Sequence, residues 1–158
     1  MTEEKILKIG EFAPDFAFIS IFDKQNKKLS DYLNKKVVLY FYPKDFTQGC
    51  TVEASEFVKD YEKFRQQDIT IIGISPDDLE SHIKFKDKMN IQYELVSDKD
   101  NAISKNYGVY GLKNFMGRKY MGVHRTTFLI DKEGKILHIF KKVKPLGHSN
   151  EILEILSK

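Results

Sequence analysis

Val37-Val38-Leu39-Tyr40-Phe41-Tyr42-Pro43-Lys44-Asp45-Phe46-Thr47-Gln48-Gly49-Cys50 is the stretch whose reading decides the fold. Its first six residues form an unbroken apolar run, β-branched and then aromatic, closed by Pro43. Such a run is the mark of a strand buried on both faces, as in the middle of a parallel sheet. Residues 69–75 repeat the theme. Between the two runs, Ala54, Phe57, Val58, Tyr61 and Phe64 fall at i, i+3, i+4, i+7 and i+10, one stripe of a helical period. Strand, helix and strand make a βαβ unit, whose crossover is expected to be right-handed.

Working outward, residues 1–35 read as an opening section of short strands. Phe16, Phe18 and Ile21-Phe22 are strand-like, residues 23–28 are a polar turn, and Ser30 caps a short turn. Ser75 and Pro76 read as the cap and first position of a helix that runs to about Met89. Residues 93–96 are a weaker strand, and 98–107 a short helix closed by Gly108. Residues 108–122 read as a glycine-containing loop packed onto the sheet. Strands at 126–130 and 136–140 are joined by a turn with Gly134 at its end. Ile152, Leu153 and Leu156 mark a final helix with Ser149 as cap. The sum is an α/β fold, a mixed central sheet flanked by helices, in one domain over residues 1–158.

In α/β sheets, reactive groups gather where a strand ends and the next helix begins, and residues 43–50 occupy that place. Thr47 reads as the helix N-cap, putting Gln48, Gly49 and Cys50 in the first turn. Cys50 precedes Ala54 by four residues, so the thiol shares the buried stripe and points inward. A free thiol has a pKa of about 8.5, and its reactive form is the thiolate. The positive end of a helix and its unpaired N–H groups favour that form. Gly49 leaves room for a small substrate to approach the backbone, the Thr47 hydroxyl can donate and accept, and Pro43 fixes the strand exit. The plainer account is also open: a lone cysteine as a small buried hydrophobe, with Thr47 only a cap and Gly49 only a turn residue.

Composition narrows the classes. One cysteine cannot form a disulfide within the chain, which argues against a secreted disulfide scaffold and for a reducing cytoplasm. Met1-Thr2-Glu3-Glu4-Lys5 has no hydrophobic stretch of a secretory signal, and no apolar run reaches the roughly 20 residues that span a bilayer. The net charge of +3 comes from interspersed acids and bases, and Lys141, Lys142 and Lys144 are too narrow a run for a nucleic-acid face. His82, His124, His138 and His148 lack metal-ligand spacing. Tyr40 and Tyr42 read as core, and Phe46 as a pocket wall. Tyr110, Phe115, Met116 and Tyr120 form an aromatic cluster within the 108–122 loop.

Pro43-Lys44-Asp45-Phe46-Thr47-Gln48-Gly49-Cys50 resembles the peroxiredoxin P-x-x-x-T-x-x-C motif. The segments Thr51-Val52-Glu53-Ala54, Tyr107-Gly108-Val109-Tyr110-Gly111, Gly122 through Asp131 and Lys142-Val143-Lys144 through Gly147-His148 resemble the bacterioferritin comigratory protein (PrxQ) subgroup. The resemblance implies a thioredoxin-like fold with an N-terminal extension and a thiol-dependent peroxidase. It implies that Cys50 is the peroxidatic cysteine, that Thr47 hydrogen-bonds peroxide and sulfur, and that Pro43 shields the thiolate. It further implies that Arg125 stabilises the thiolate and the leaving oxygen, and that Glu53 orients Arg125. On residue type alone, Arg125 and Glu53 read as surface charges. Gly49 and Phe46 complete the expected substrate site. No metal, haem or flavin is implied. Many members of the subgroup carry a resolving cysteine five residues on, where this chain has Ser55. The expectation is therefore a 1-Cys mechanism on hydrogen peroxide and organic hydroperoxides, in a monomer or homodimer. Its reductant would be external: thioredoxin, a glutaredoxin-like protein or a small thiol. The competing expectations are a peroxide sensor or chaperone-like module working through mixed disulfides, and a thiol–disulfide oxidoreductase. The absence of a C-x-x-C pair speaks against the last.

Overall fold

The computed structural model describes residues 7–156, so the N-terminal reading of residues 1–5 lies outside the described residues. Five strands form the central sheet: β3 (Lys36–Phe41), β4 (Ile69–Ser75), β5 (Glu94–Ser97), β8 (Thr126–Ile130) and β9 (Ile136–Lys141), in the order β5-β4-β3-β8-β9. β4 is parallel to β3 and to β5, while β8 is antiparallel to both β3 and β9. This is the expected mixed sheet. β3 lies at its centre, which is why a residue of either parity there must be apolar. Val38, Tyr40 and Tyr42 enter one core, and Val37, Leu39 and Phe41 the other.

Topology distributes the helices. β3, β4 and β5 step in one direction across the sheet, so right-handed crossovers put their connecting helices on the same face. That face holds α1 (Gln48–Lys59), α2 (Tyr61–Gln66), α3 (Leu79–Met89) and the C-terminal α5 (His148–Leu156), around Tyr40, Phe57, Phe64 and Phe85. The chain then returns past β3 to reach β8, carrying α4 (Ala102–Asn106) to the opposite face. There Ile103 joins Phe18 of the short β1 (Ala17–Ile19) and Leu29. β1 pairs with β2 (Asn26–Lys28), which lies inside the stretch that sequence reads as a polar turn, and Ile21-Phe22 is not in a strand.

Four boundaries depart from the sequence reading. The stripe from Ala54 to Phe64 spans two helices, because the chain breaks at Asp60 (φ −97°, ψ 8°). The buried Asp60 carboxylate accepts a hydrogen bond from Ser149 Oγ at 2.7 Å, tying the break to α5. Ser149 is thus a tertiary clamp inside α5, which begins at His148. Ser75 ends β4 and caps nothing; α3 is capped by Asp78, whose carboxylate accepts from Ser81 N–H at 2.8 Å. Finally, residues 108–122 do not pack as a loop. They build a hairpin of β6 (Tyr110–Phe115) and β7 (Arg118–Val123), closed by Met116 and Gly117 at φ 52° and 78°. Positive φ at both central residues is the turn geometry that matches strand twist. Phe115 is 66% exposed and Met116 90%. Only its base is covered, where Val123 is buried and Tyr110 packs against the core; the rest is largely exposed, the ribbon shows no alternation of apolar and polar residues, and its pairing is invisible in the sequence.

Candidate active site

β3 ends at Phe41, and Tyr42 continues its line through an N–H to Ile74 O bond of 3.0 Å. Pro43, half-buried, offers no N–H and leaves the sheet. Phe46 adopts φ 66°, a left-handed conformation that costs an L-residue about 1 kcal/mol. Thr47 is extended (φ −76°, ψ 157°) and stands at the N-cap of α1 as expected, with its carbonyl accepting Thr51 N–H at 2.9 Å. Its hydroxyl does not cap. It donates to Lys44 O at 2.9 Å, and the expected capping bond is absent.

Cys50 sits in the first turn of α1, 2% exposed and directed into the core with Ala54 and Phe57. Arg125, just before β8, donates from Nη2 to Cys50 Sγ at 3.2 Å and from Nη1 to Glu53 Oε1 at 2.6 Å. β3 and β8 are neighbours, so the strand pairing brings together residues 75 apart in sequence. Glu53, one turn beyond Cys50, is wholly buried, and its Oε2 has no partner. It is no surface charge. Burial raises its pKa from 4.5 to about 7, against the pull of Arg125. Burial also works against the charge on Arg125, but Glu53 and Cys50 outweigh it and the arginine pKa rises.

Gly49 lies against the arginine side chain. A Cβ there would lie 3.1 Å from Arg125 Nη2 and 3.7 Å from Pro145 Cγ, so the missing side chain makes room for the guanidinium that reaches the sulfur. Phe46, 46% exposed, rests edge-on against Phe85 of α3 at 5.1 Å between ring centres. From the hairpin, Lys113 donates to Val123 O at 2.9 Å; burial and then Arg125 hold its pKa down, while Cys50 acts the other way. His124 is exposed, whereas His82 and His148 are buried. Ser55 faces solvent from the middle of α1, on the far side from Cys50.

Residues 9–139 match the AhpC/TSA family. The chain belongs to that family. It is 45% identical to peroxiredoxin Bcp of Bacillus subtilis over 150 residues, 95% of each chain. It superposes on a cysteine-to-serine mutant of Xylella fastidiosa PrxQ with a TM-score of 0.89, at 34% identity and 97% coverage of both chains. The bacterioferritin comigratory protein of Xanthomonas campestris, studied for alkyl peroxide reduction, gives 0.83 at 32% identity and 90% coverage of both. The expected peroxiredoxin resemblance and thioredoxin-like fold are thereby met, and the enzyme class is thiol-dependent peroxidase. Among the described residues no helix is long and apolar enough to cross a membrane.

Sequence reasoning missed a second polar cluster. Asp45, Asp77 and His82 meet beneath the 43–47 loop, with Asp45 Oδ2 at 2.7 Å from His82 Nδ1. Their 32- and 37-residue separations carry no local signal; the parallel pairing of β3 with β4 and the packing of α3 place them together.

Proposed function

We propose that this peroxiredoxin reduces hydrogen peroxide and organic hydroperoxides through Cys50 by a 1-Cys cycle. The observation that carries the reading is the Arg125–Cys50 bond: a guanidinium N–H aimed at sulfur is a charge-assisted donor to a thiolate. The thiolate attacks the terminal oxygen of the hydroperoxide. A sulfur–oxygen bond forms as the oxygen–oxygen bond breaks, and sulfur is oxidised by two electrons. The leaving oxygen, its charge stabilised by Arg125, takes a proton from the medium and departs as water or alcohol. The sulfenic acid then condenses with an external thiol, releasing water and leaving a mixed disulfide. A second thiol resolves this disulfide.

Thr47 and Gly49 take the substrate, Pro43 shields the sulfur, and Glu53 orients Arg125. Phe46 bounds the substrate side of the loop. An external thiol is needed because the chain has one cysteine and Ser55 replaces a possible partner. Even a cysteine at 55 would lie about 140° around the helix from Cys50. The lone thiol also supports the cytoplasmic assignment, and monomer or homodimer remains the assembly proposed.

The test is peroxide consumption with thioredoxin or a small thiol. Cys50→Ser should abolish it, and wild type without reductant should stop after one equivalent with Cys50 as sulfenic acid by mass spectrometry. Turnover by the Cys50→Ser protein refutes the assignment. A single oxidation that no thiol reverses favours the sensor reading.

A further inference from the structure

We propose that Asp77, outside the motif and far from the sulfur in sequence, is a positioning residue for peroxide reduction: it sets the orientation of the Thr47 hydroxyl. The inference rests on Thr47 being the residue that binds the hydroperoxide. The link between them is a single peptide unit. The N–H of Asp45 donates to Asp77 Oδ2 at 2.8 Å, while the carbonyl of the same unit, Lys44 O, accepts the Thr47 hydroxyl at 2.9 Å. A trans peptide is planar and rigid, with N–H and C=O pointing in opposite directions. Holding the N–H therefore aims the C=O.

The consequence for Thr47 is chemical. A hydroxyl has one proton. With that proton given to Lys44 O, Thr47 Oγ1 offers only lone pairs to a visitor, and the visitor must donate. Hydrogen peroxide and organic hydroperoxides each carry at least one O–H and can do so. Without the Asp77 anchor the Lys44–Asp45 unit can rotate, the Thr47 proton loses its acceptor, and the oxygen no longer presents itself as a fixed acceptor.

Asp77 is itself held in place. Ser75 Oγ donates to the same Oδ2 at 2.5 Å, and the Asp77 carbonyl accepts from Ser97 Oγ at 2.5 Å. Asp45 anchors the other side of the loop. Its Oδ1 accepts from Tyr42 OH at 2.6 Å, and its Oδ2 accepts from Ser81 Oγ at 2.9 Å and from His82 Nδ1 at 2.7 Å. These bonds bracket Phe46 and its left-handed backbone, a strained conformation that persists only where its surroundings over-determine it. The carboxylates are thus engaged by protein donors, and their common product is the geometry of residues 44–47.

The test compares two reactions of Cys50 in the full chain: single-turnover oxidation by hydrogen peroxide, and alkylation by iodoacetamide. The second reads the sulfur and its access but needs no threonine acceptor. Thr47→Val should slow oxidation by about tenfold, the effect of one hydrogen bond. Asp77→Ala should slow it by a similar factor, and Asp77→Asn, which keeps an acceptor oxygen, should restore most of the rate. The Asp77→Ala/Thr47→Val double variant should be no slower than Thr47→Val alone. Iodoacetamide rates should stay within about twofold throughout. Asp77 is half-buried, so Asp77→Ala is expected to fold; Ser75→Ala, which unseats the same carboxylate, is the second perturbation and should act in the same direction. Equal losses in both reactions, multiplying losses in the double variant, or a full oxidation rate in Asp77→Ala overturn the inference. A full rate in Thr47→Val overturns the reading of Thr47 and this inference with it.

Discussion

Glu53→Gln isolates the cost of burying a carboxylate one helical turn from Cys50. Glu53 is wholly buried, one oxygen bound to Arg125 and the other without a partner. Burial raises its pKa from 4.5 to about 7. Between those values the folded protein retains a proton that the unfolded chain has released. The associated stability is fully present below about pH 4.5 and lost as pH rises through about 7. A rise of about 2.5, at about 1.36 kcal/mol for each pH unit, amounts to about 3 kcal/mol. Glutamine keeps a carbonyl oxygen for Arg125 Nη1 and cannot titrate. Urea unfolding of both proteins between about pH 4 and about pH 8 gives the stability difference at each pH, and groups common to both cancel. Wild-type stability minus that of Glu53→Gln should fall by about 3 kcal/mol across that range. A difference that does not change with pH refutes the burial argument. One that grows with pH shows that Arg125 outweighs desolvation.

Gly49→Ala brings a Cβ to 3.1 Å from Arg125 Nη2. It should push the guanidinium aside by a few tenths of an ångström and slow peroxide oxidation of Cys50 by about threefold, with the urea midpoint little changed. Gly73→Ala tests the core instead. Its Cβ would lie 2.9 Å from Tyr40 Cζ and 3.0 Å from both Leu95 Cδ2 and Tyr40 OH, between β-strands that cannot separate. Overpacking there should cost about 1–3 kcal/mol by urea unfolding and leave the rate of Cys50 oxidation in the folded protein within about twofold of wild type.

From its own residues the sequence specifies the central βαβ unit, the start of α1 at Gln48 and the inward direction of Cys50. Those features follow from period and punctuation over short spans: a two-faced apolar run, a helical stripe, Pro43 and Thr47. Hydrogen-bond partners across the fold obey no such local rule. That Arg125 reaches the sulfur depends on β8 lying beside β3. That Glu53 is buried depends on α1 packing against the sheet, and that Asp77 holds the 44–45 peptide depends on β4 running parallel to β3. Asp60 breaks a helix whose stripe continues unbroken, because its carboxylate is engaged from α5. The β6–β7 ribbon buries only its base, at Val123, and its largely exposed strands leave no pattern. Chain-local chemistry determined where the Cys50 thiol stands, and long-range pairing decided which charges surround it. The reason is physical: periodicity records burial, whereas polar contacts between distant residues exist only once the strands have taken their order.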